Sequence, residues 1–511
     1  MTRVLAIALD AAEPSLIERW MADGSLPALQ ALRSRGAYGR LASTSEWMTG
    51  SSWPTFYTGQ NPAQHGFYNY LVWNPQKMIA EPPTAERLPL QPFWRSFKSD
   101  SSPRAIILDI PLTYSPAPFN GKEITSFATH DTLTPMAGYP PEFVSSVRAR
   151  IGEQLMSNER YGTQSRQEFR ATRDELIRIT NIVGNFCLEL IGLESWDLFF
   201  ASFATIHRAG HRLWALHNIA APISAEEKVE FSDALRQVYI ACDQEIGRLV
   251  NAIDTDTAVL VFSLQGMRDN TTRTILLPEM LRRVLFDLPP STVSPPPGLL
   301  DRIRDLIPLE LRHRIKSTLS TELRHRLTAF WRSHSQDWSK TRAFSMVADA
   351  QGWIRINLKG REKQGIVAPG KEYDELCAKI SAGLKTYVDA DTQEPLVRNI
   401  VRASQVFEGE KMELLPDLII QWNEKPAATH RTISSSRYGS IPWPTPGRNP
   451  EGRSGNHFPE GFLIATGKGI KEGAISDAHI LDLAPTILNL LGQPVPDLME
   501  GKVLFAGGNR Q

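Results

Sequence analysis

The sequence predicts an α/β protein built on a mostly parallel sheet with helices on both faces. Three observations carry this: short continuous apolar runs, longer stretches of helical periodicity between them, and polar residues just past the runs. Val4–Leu9 is uniformly apolar, as in a strand buried on both faces, and it ends at Asp10. A helix is predicted from Pro14. Ala105–Leu108 is a second strand, ending at Asp109, and residues 196–203 form a third that runs into Thr205, Ile206 and His207. Ala258–Ser263 is a fourth and leads to Leu264 and Gln265. Between the last two strands, Leu235, Val238, Tyr239, Cys242, Ile246 and Leu249 recur at helical spacing, predicting a helix over about 225–251. Strands alternating with helices favour parallel pairing, and such sheets bind ligands beyond the carboxyl ends of their strands. Asp10, His207 and Gln265 all fall there.

Later elements continue the pattern. Strands are predicted at 352–358 and 461–467, and a helix at 480–492 that a glycine ends. The whole chain, 1–511, reads as a single α/β domain with two insertions. One covers about 80–180 and is expected to be cap-like, with Pro-rich turns and a polar helix. The other, about 285–335, opens with a proline-rich stretch and continues as a basic amphipathic region, 302–332. That region is expected either as a solvated helix pair or as a peripheral contact with a membrane or partner.

Composition narrows the function. The chain has 511 residues, balanced charge (56 basic, 56 acidic) and three widely spaced cysteines. Balanced charge gives no reason to expect a nucleic-acid surface. Cys187, Cys242 and Cys377 lack metal-type spacing and fit reduced core residues. The apolar start is too short for a signal peptide, and no run approaches the ~18 residues of a membrane span. A cytoplasmic enzyme is the expectation.

The segment 48–66 carries the strongest chemical signal. Thr49 precedes Gly50 and a short helix-capable stretch that stops at Thr58 and Gly59. A threonine at a helix N-terminus faces unpaired N–H groups, a setting that suits an ordinary cap, a bound phosphate or sulfate, or a nucleophile attacking one. Of the eleven histidines, His207 and His211 stand four apart, on one helical face and within reach of one ion. His457 lies in a loop before the strand at Phe462. His65, beside Gly66, reads as a structural hydrogen-bonding residue. Glu13 reads as a solvated carboxylate in the first helical turn.

With these motifs together the chain resembles the alkaline phosphatase superfamily, in its type I phosphodiesterase/nucleotide pyrophosphatase branch. The resemblance runs from the strand ending at Asp10 and the Thr49 segment, with its Asn61-Pro-Ala-Gln-His-Gly66 stretch, to the His457-Phe-Pro-Glu-Gly and Leu481-Asp-Leu-Ala-Pro-Thr motifs. It implies an alkaline phosphatase-like core and a two-metal, usually zinc, site in which a Thr or Ser attacks phosphorus. Thr49 matches the nucleophile, Asp10 the ligand on the first strand, and His211 and His457 two ligands of the other ion. Where the family has an Asp, this chain has His207, giving a three-histidine site for one zinc ion. Where the family reads Ser-Asp-His-Gly, this chain reads Ser263-Leu264-Gln265-Gly266. Leucine cannot ligate and a glutamine amide is a weak zinc ligand, so the second ion, otherwise left with Asp10 and Thr49, is expected to be absent or weakly held.

The expected function is therefore hydrolysis or group transfer on a small phosphorylated or sulfated substrate. Thr49 would attack, Asp10 would serve as its base, and Gly50 and Gln265 would line the substrate. The competing expectation is a family member that binds a phosphorylated ligand without turnover.

Overall fold

The computed structural model describes residues 2–129, 132–156, 159, 161–220, 222–290 and 337–505, together with Leu311, Ile315, Thr318, Leu319, Leu323 and Leu327. The basic stretch 302–332 otherwise lies outside the described residues.

Among the described residues the central sheet has ten strands. Those near the site are β1 (Val4–Leu9), β2 (Ala37–Ala42), β3 (Ala105–Leu108), β4 (Gly121–Thr125), β5 (Ala137–Tyr139), β6 (Leu198–Phe203), β7 (Ala258–Ser263) and β8 (Glu460–Thr466). Across the sheet they run in the order β2-β8-β7-β1-β6-β3-β4-β5. β7, β1, β6, β3 and β4 are mutually parallel, and β8 and β5 run antiparallel to their neighbours.

The continuous apolar runs are explained by burial on both faces. In β1, Leu5, Ile7 and Leu9 enter one apolar cluster while Val4, Ala6 and Ala8 enter another on the opposite face. The period-2 geometry of a strand makes this division, and a polar residue at any of the six positions would be buried. β6 divides likewise, with Phe199, Ala201 and Phe203 on one side and Leu198 and Phe200 on the other.

Helices cover both faces. On one lie α1 (Pro14–Ala22), α3 (Arg166–Leu193), α4 (Thr205–Leu213) and α5 (Ala225–Asn251), and on the other lies α2 (Ser52–Thr58). Capping boxes, Ser165 with Glu168 and Ser224 with Glu227, start α3 and α5. α3 is long and apolar enough to cross a membrane by length and composition, contrary to the reading of the sequence. Its Phe169, Leu176, Ile179, Val183 and Cys187 face is nevertheless buried in the protein core with α5. The three cysteines are free and buried, as expected.

The segment 80–180 is not simply a cap. It supplies β3, β4 and β5 to the central sheet and the first half of α3. Its Pro-rich turns separate short strands, which the sequence pattern read as insertion.

A second sheet, strands 343–345, 352–356, 418–422 and 397–402 in that order, has its own apolar cluster on one face. Its other face presents Trp353 and Ile419 to Met48 and Tyr68. The second sheet is thereby packed against the residues that carry Thr49.

Asp109, just past β3, takes a left-handed backbone (φ 61°). Its carboxylate accepts N–H bonds from Phe127 (2.7 Å) and Ala128 (2.6 Å). Burial, against these two bonds and with the help of Asp10, pushes its pKa up to about 7. The folded state therefore binds a proton that the unfolded chain releases near pH 4, and stability falls as pH rises from about 4 to about 7. In urea titrations the stability of wild type relative to Asp109→Asn should decline across that window. A difference independent of pH would contradict the assignment.

Candidate metal and phosphoester site

The site begins at the carboxyl ends of three adjacent parallel strands, β6, β1 and β7. Asp10 follows β1 directly, and its N–H donates to Phe203 O at the end of β6. α4 starts two residues after β6 and carries His207 and His211 one turn apart, both fully inside the protein. His457 lies on a short strand, Gly455–Phe458, rather than in a loop. That strand pairs antiparallel with Gly266–Asp269, placing His457 opposite Met267. Close approach to α4 requires Gly455, because a Cβ there would lie 2.2 Å from Gly210 O.

The three imidazoles converge. One ligand atom from each of His207, His211 and His457 falls within 4.8 Å of the other two. Two of the rings are oriented by acceptors behind them. His207 Nδ1 donates to Asp10 Oδ2 (2.7 Å) and His211 Nδ1 to Gly455 O (3.0 Å). With the proton on Nδ1, each Nε2 presents a lone pair, and the two Nε2 atoms stand 3.1 Å apart. Two ligands on one tetrahedral zinc, each bonded at ~2.0–2.1 Å, are separated by about 3.3 Å. His457 is held neutral by burial and by His207, and its buried Nδ1 has no hydrogen-bond partner among the described residues. The donor set fits a zinc-type ion. Among the described residues it is the one group of three or more His, Cys, Asp or Glu gathered closely enough to hold a metal.

Asp10 serves this centre from behind. Its Oδ2 takes the His207 proton, and its Oδ1 accepts the Trp53 indole N–H (3.0 Å). A carboxylate behind a ligating histidine fixes the tautomer and raises its basicity. Neither oxygen is hydrogen-bonded to Thr49, so the structure does not show the expected pairing of Asp10 with that hydroxyl.

Thr49 occupies a 3-10 turn, Thr49–Ser51, immediately ahead of α2 rather than the first position of the helix itself. It is buried, and its hydroxyl donates to Gln351 Oε1 (2.9 Å). Gly50 packs against the Tyr68–Asn69 backbone, where a Cβ would meet Tyr68 O at 2.6 Å. Gln265 does not face open space: its Oε1 accepts from Ser52 Oγ (3.1 Å), which also donates to Thr49 O (3.2 Å). Leu264 lies in the apolar cluster with Trp53, Phe56 and Phe262. The positions around Thr49 thus offer an aliphatic side chain and a neutral amide engaged elsewhere, and they do not fit a second ion.

Glu13 departs from the sequence reading. It is buried, caps α1 through Ser15 N (3.3 Å) and accepts from Met267 N (3.1 Å), so it ties α1 to the strand opposite His457. Burial raises its pKa. His65 is structural, as expected. Its Nδ1 accepts from Phe67 N (3.1 Å), so Nε2–H faces Thr55 Oγ1, and burial pushes its pKa down to about 3.

Several residues at the site were not anticipated. Asp349 Oδ2 lies 3.7 Å from His457 Nε2, and its other oxygen 3.5 Å from Arg453. Arg453 also pairs with Glu159 (2.5 Å) and, against the push of burial, holds that carboxyl down at about 2. Arg208 and Arg212, next to the two α4 histidines, are buried as well. Gln351 and Asp349 are some 300 and 100 residues from their partners, and nothing in local spacing could have found them.

No curated protein matches the chain. Phosphonoacetate hydrolase from Sinorhizobium meliloti 1021, solved with phosphonoformate, shares the fold: TM-score 0.52, 13% identity, 96% of each chain covered. Human ectonucleotide pyrophosphatase/phosphodiesterase 5 aligns over 98% of this chain and 97% of its own, at 11% identity and TM-score 0.47. The sequence model of the type I phosphodiesterase/nucleotide pyrophosphatase family matches residues 4–435. The chain is a member of that family, with an alkaline phosphatase-like fold, and is an enzyme of the phosphodiesterase/phosphatase type.

Proposed function

We propose that this protein is a one-ion hydrolase or transferase acting on a small phosphoester, or a chemically similar sulfoester, with Thr49 as nucleophile. One observation supports this reading above others. The loop between strands 343–345 and 352–356 sets Asp349 beside His457 and Gln351 on Thr49. The three-histidine centre and the hydroxyl are thereby joined by a single short segment.

His207, His211 and His457 would hold the ion, which when bound supplies Lewis-acid polarisation of a phosphoryl or sulfuryl oxygen. The remaining chemistry belongs to the chain. Asp10 keeps the His207 proton on Nδ1 and its Nε2 lone pair free for ligation. Thr49 Oγ1 attacks phosphorus while the bond to the leaving oxygen breaks, leaving the phosphoryl group on threonine until water removes it. Thr49 has no ionisable hydrogen-bond partner among the described residues. Its proton therefore leaves late, to the departing oxygen, which a loose phosphoryl-transfer transition state tolerates.

A binding role is favoured by a separate observation: Leu264 and Gln265 are committed to core packing and to Ser52. Three measurements separate the readings. Protein purified without a chelating column should carry about one zinc per chain, lost in His207→Ala and His457→Ala. Two per chain would contradict the reading of Leu264 and Gln265, and none would favour the binding role. Asp10→Asn should weaken zinc affinity by about 10- to 100-fold in chelator competition, since it removes an orienting acceptor without removing a ligand. Thr49→Ala should reduce hydrolysis of bis(4-nitrophenyl) phosphate to background while leaving the melting temperature and zinc content unchanged. Undiminished turnover would exclude Thr49 as the nucleophile.

A further inference from the structure

We propose that Gln351 is the positioning residue for Thr49, fixing the rotamer and the proton direction of its hydroxyl. This rests on the reading of Thr49 as nucleophile and adds a residue that lies 302 positions away in the chain.

The amide orientation is set by its other half. Gln351 Nε2 donates to Ser45 O (2.6 Å) and to Glu46 O (3.3 Å), both carbonyls of the turn that precedes Thr49. Turning the amide over would set its oxygen against those carbonyls. Oε1 therefore faces Thr49, and the hydroxyl must donate to it (2.9 Å). An amide oxygen is too weakly basic to take that proton. The contact fixes the Cα–Cβ torsion and turns the oxygen's lone pairs away from the amide. An unheld threonine hydroxyl would instead sample several staggered rotamers.

The clamp is itself anchored. Gln351 is buried and stands at the start of the strand whose Trp353 indole donates to Trp47 O (3.1 Å). Two residues earlier, Asp349 O accepts from Thr272 Oγ1 (2.9 Å), while its carboxylate faces His457. The distance from the hydroxyl to the histidines is thus set by one loop held at both ends.

The test uses the full-length protein with 13C-labelled threonine methyls, the Thr49 signal being assigned by its loss in Thr49→Ala. In wild type, the three-bond couplings of the Thr49 methyl should report a single rotamer. In Gln351→Met, which keeps the length but loses donor and acceptor, they should average. Gln351→Ala serves if Met does not fold. Couplings that stay those of one rotamer in the variant overturn the proposal, whether or not the protein turns over phosphoesters.

Kinetics supply the second readout. With bis(4-nitrophenyl) phosphate, Gln351→Met should lower kcat about 10- to 100-fold with KM and zinc content little changed, as expected of a misplaced nucleophile. Gln351→Glu puts an ionisable acceptor on the hydroxyl and should add an ascending limb to the pH–kcat profile. A loss confined to KM or to melting temperature would count against positioning. Failure of the functional reading is seen separately, as wild-type turnover that Thr49→Ala does not affect.

Discussion

The carboxylate of Asp10 is the point on which the site depends. It ends the first strand, accepts from the His207 imidazole on one oxygen and from the Trp53 indole on the other, and so joins β1, α4 and α2. A buried charge is tolerated only when its hydrogen-bonding capacity is met, and an unmet one costs several kcal/mol. The two partners therefore do more than bind. They fix where α4 and α2 sit relative to the sheet, and with them the histidines and the Thr49 segment.

Around that point the charge distribution is lopsided. On the histidine side there are imidazoles, Asp349 and buried guanidinium groups, with Glu159 balancing Arg453. On the threonine side the polar contacts are neutral: a hydroxyl on an amide, and a serine on a second amide. An ion needs negative or strongly donating ligands, and only the first side has them. The threonine side has traded charge for a hydrogen-bonded frame that runs through Ser52 and Gln265 to Ser263, whose hydroxyl accepts from Ala12 N next to the first strand. Such a frame gives fixed geometry without a second cation.

Much of the fold was legible because it follows from local pattern. β1 is apolar at every position, and β6 and β7 at all but Ser202 and Ser263, a run that only a doubly covered strand requires, and the structure divides their apolar side chains between two cores. His207 and His211 were legible as a pair because helical spacing alone puts them on one face. The errors have equally local causes. Glu13 looked like a solvated first-turn acid, since nothing nearby shows that Met267 will bring an N–H to it. Segment 80–180 looked like an insertion although Ala105–Leu108 was legible in it, because proline-rich turns hide the strands Gly121–Thr125 and Ala137–Tyr139, only five and three residues long and too short for a periodic signal.

By itself the sequence determined β1, β3, β6, β7 and β8 of the sheet, the helices that open at Pro14 and span 225–251, the polar residues at the strand ends and the departure at Leu264 and Gln265. These are properties of periodicity and residue chemistry, carried within a few residues. Only the tertiary structure decided which groups pair: Asp10 with His207 rather than with Thr49, Gln351 with Thr49, and Asp349 beside His457. Each hydroxyl or carboxylate has many chemically equivalent partners along the chain. The choice among them is made when packing of the second sheet onto Met48 and Tyr68 fixes distances that no local spacing encodes.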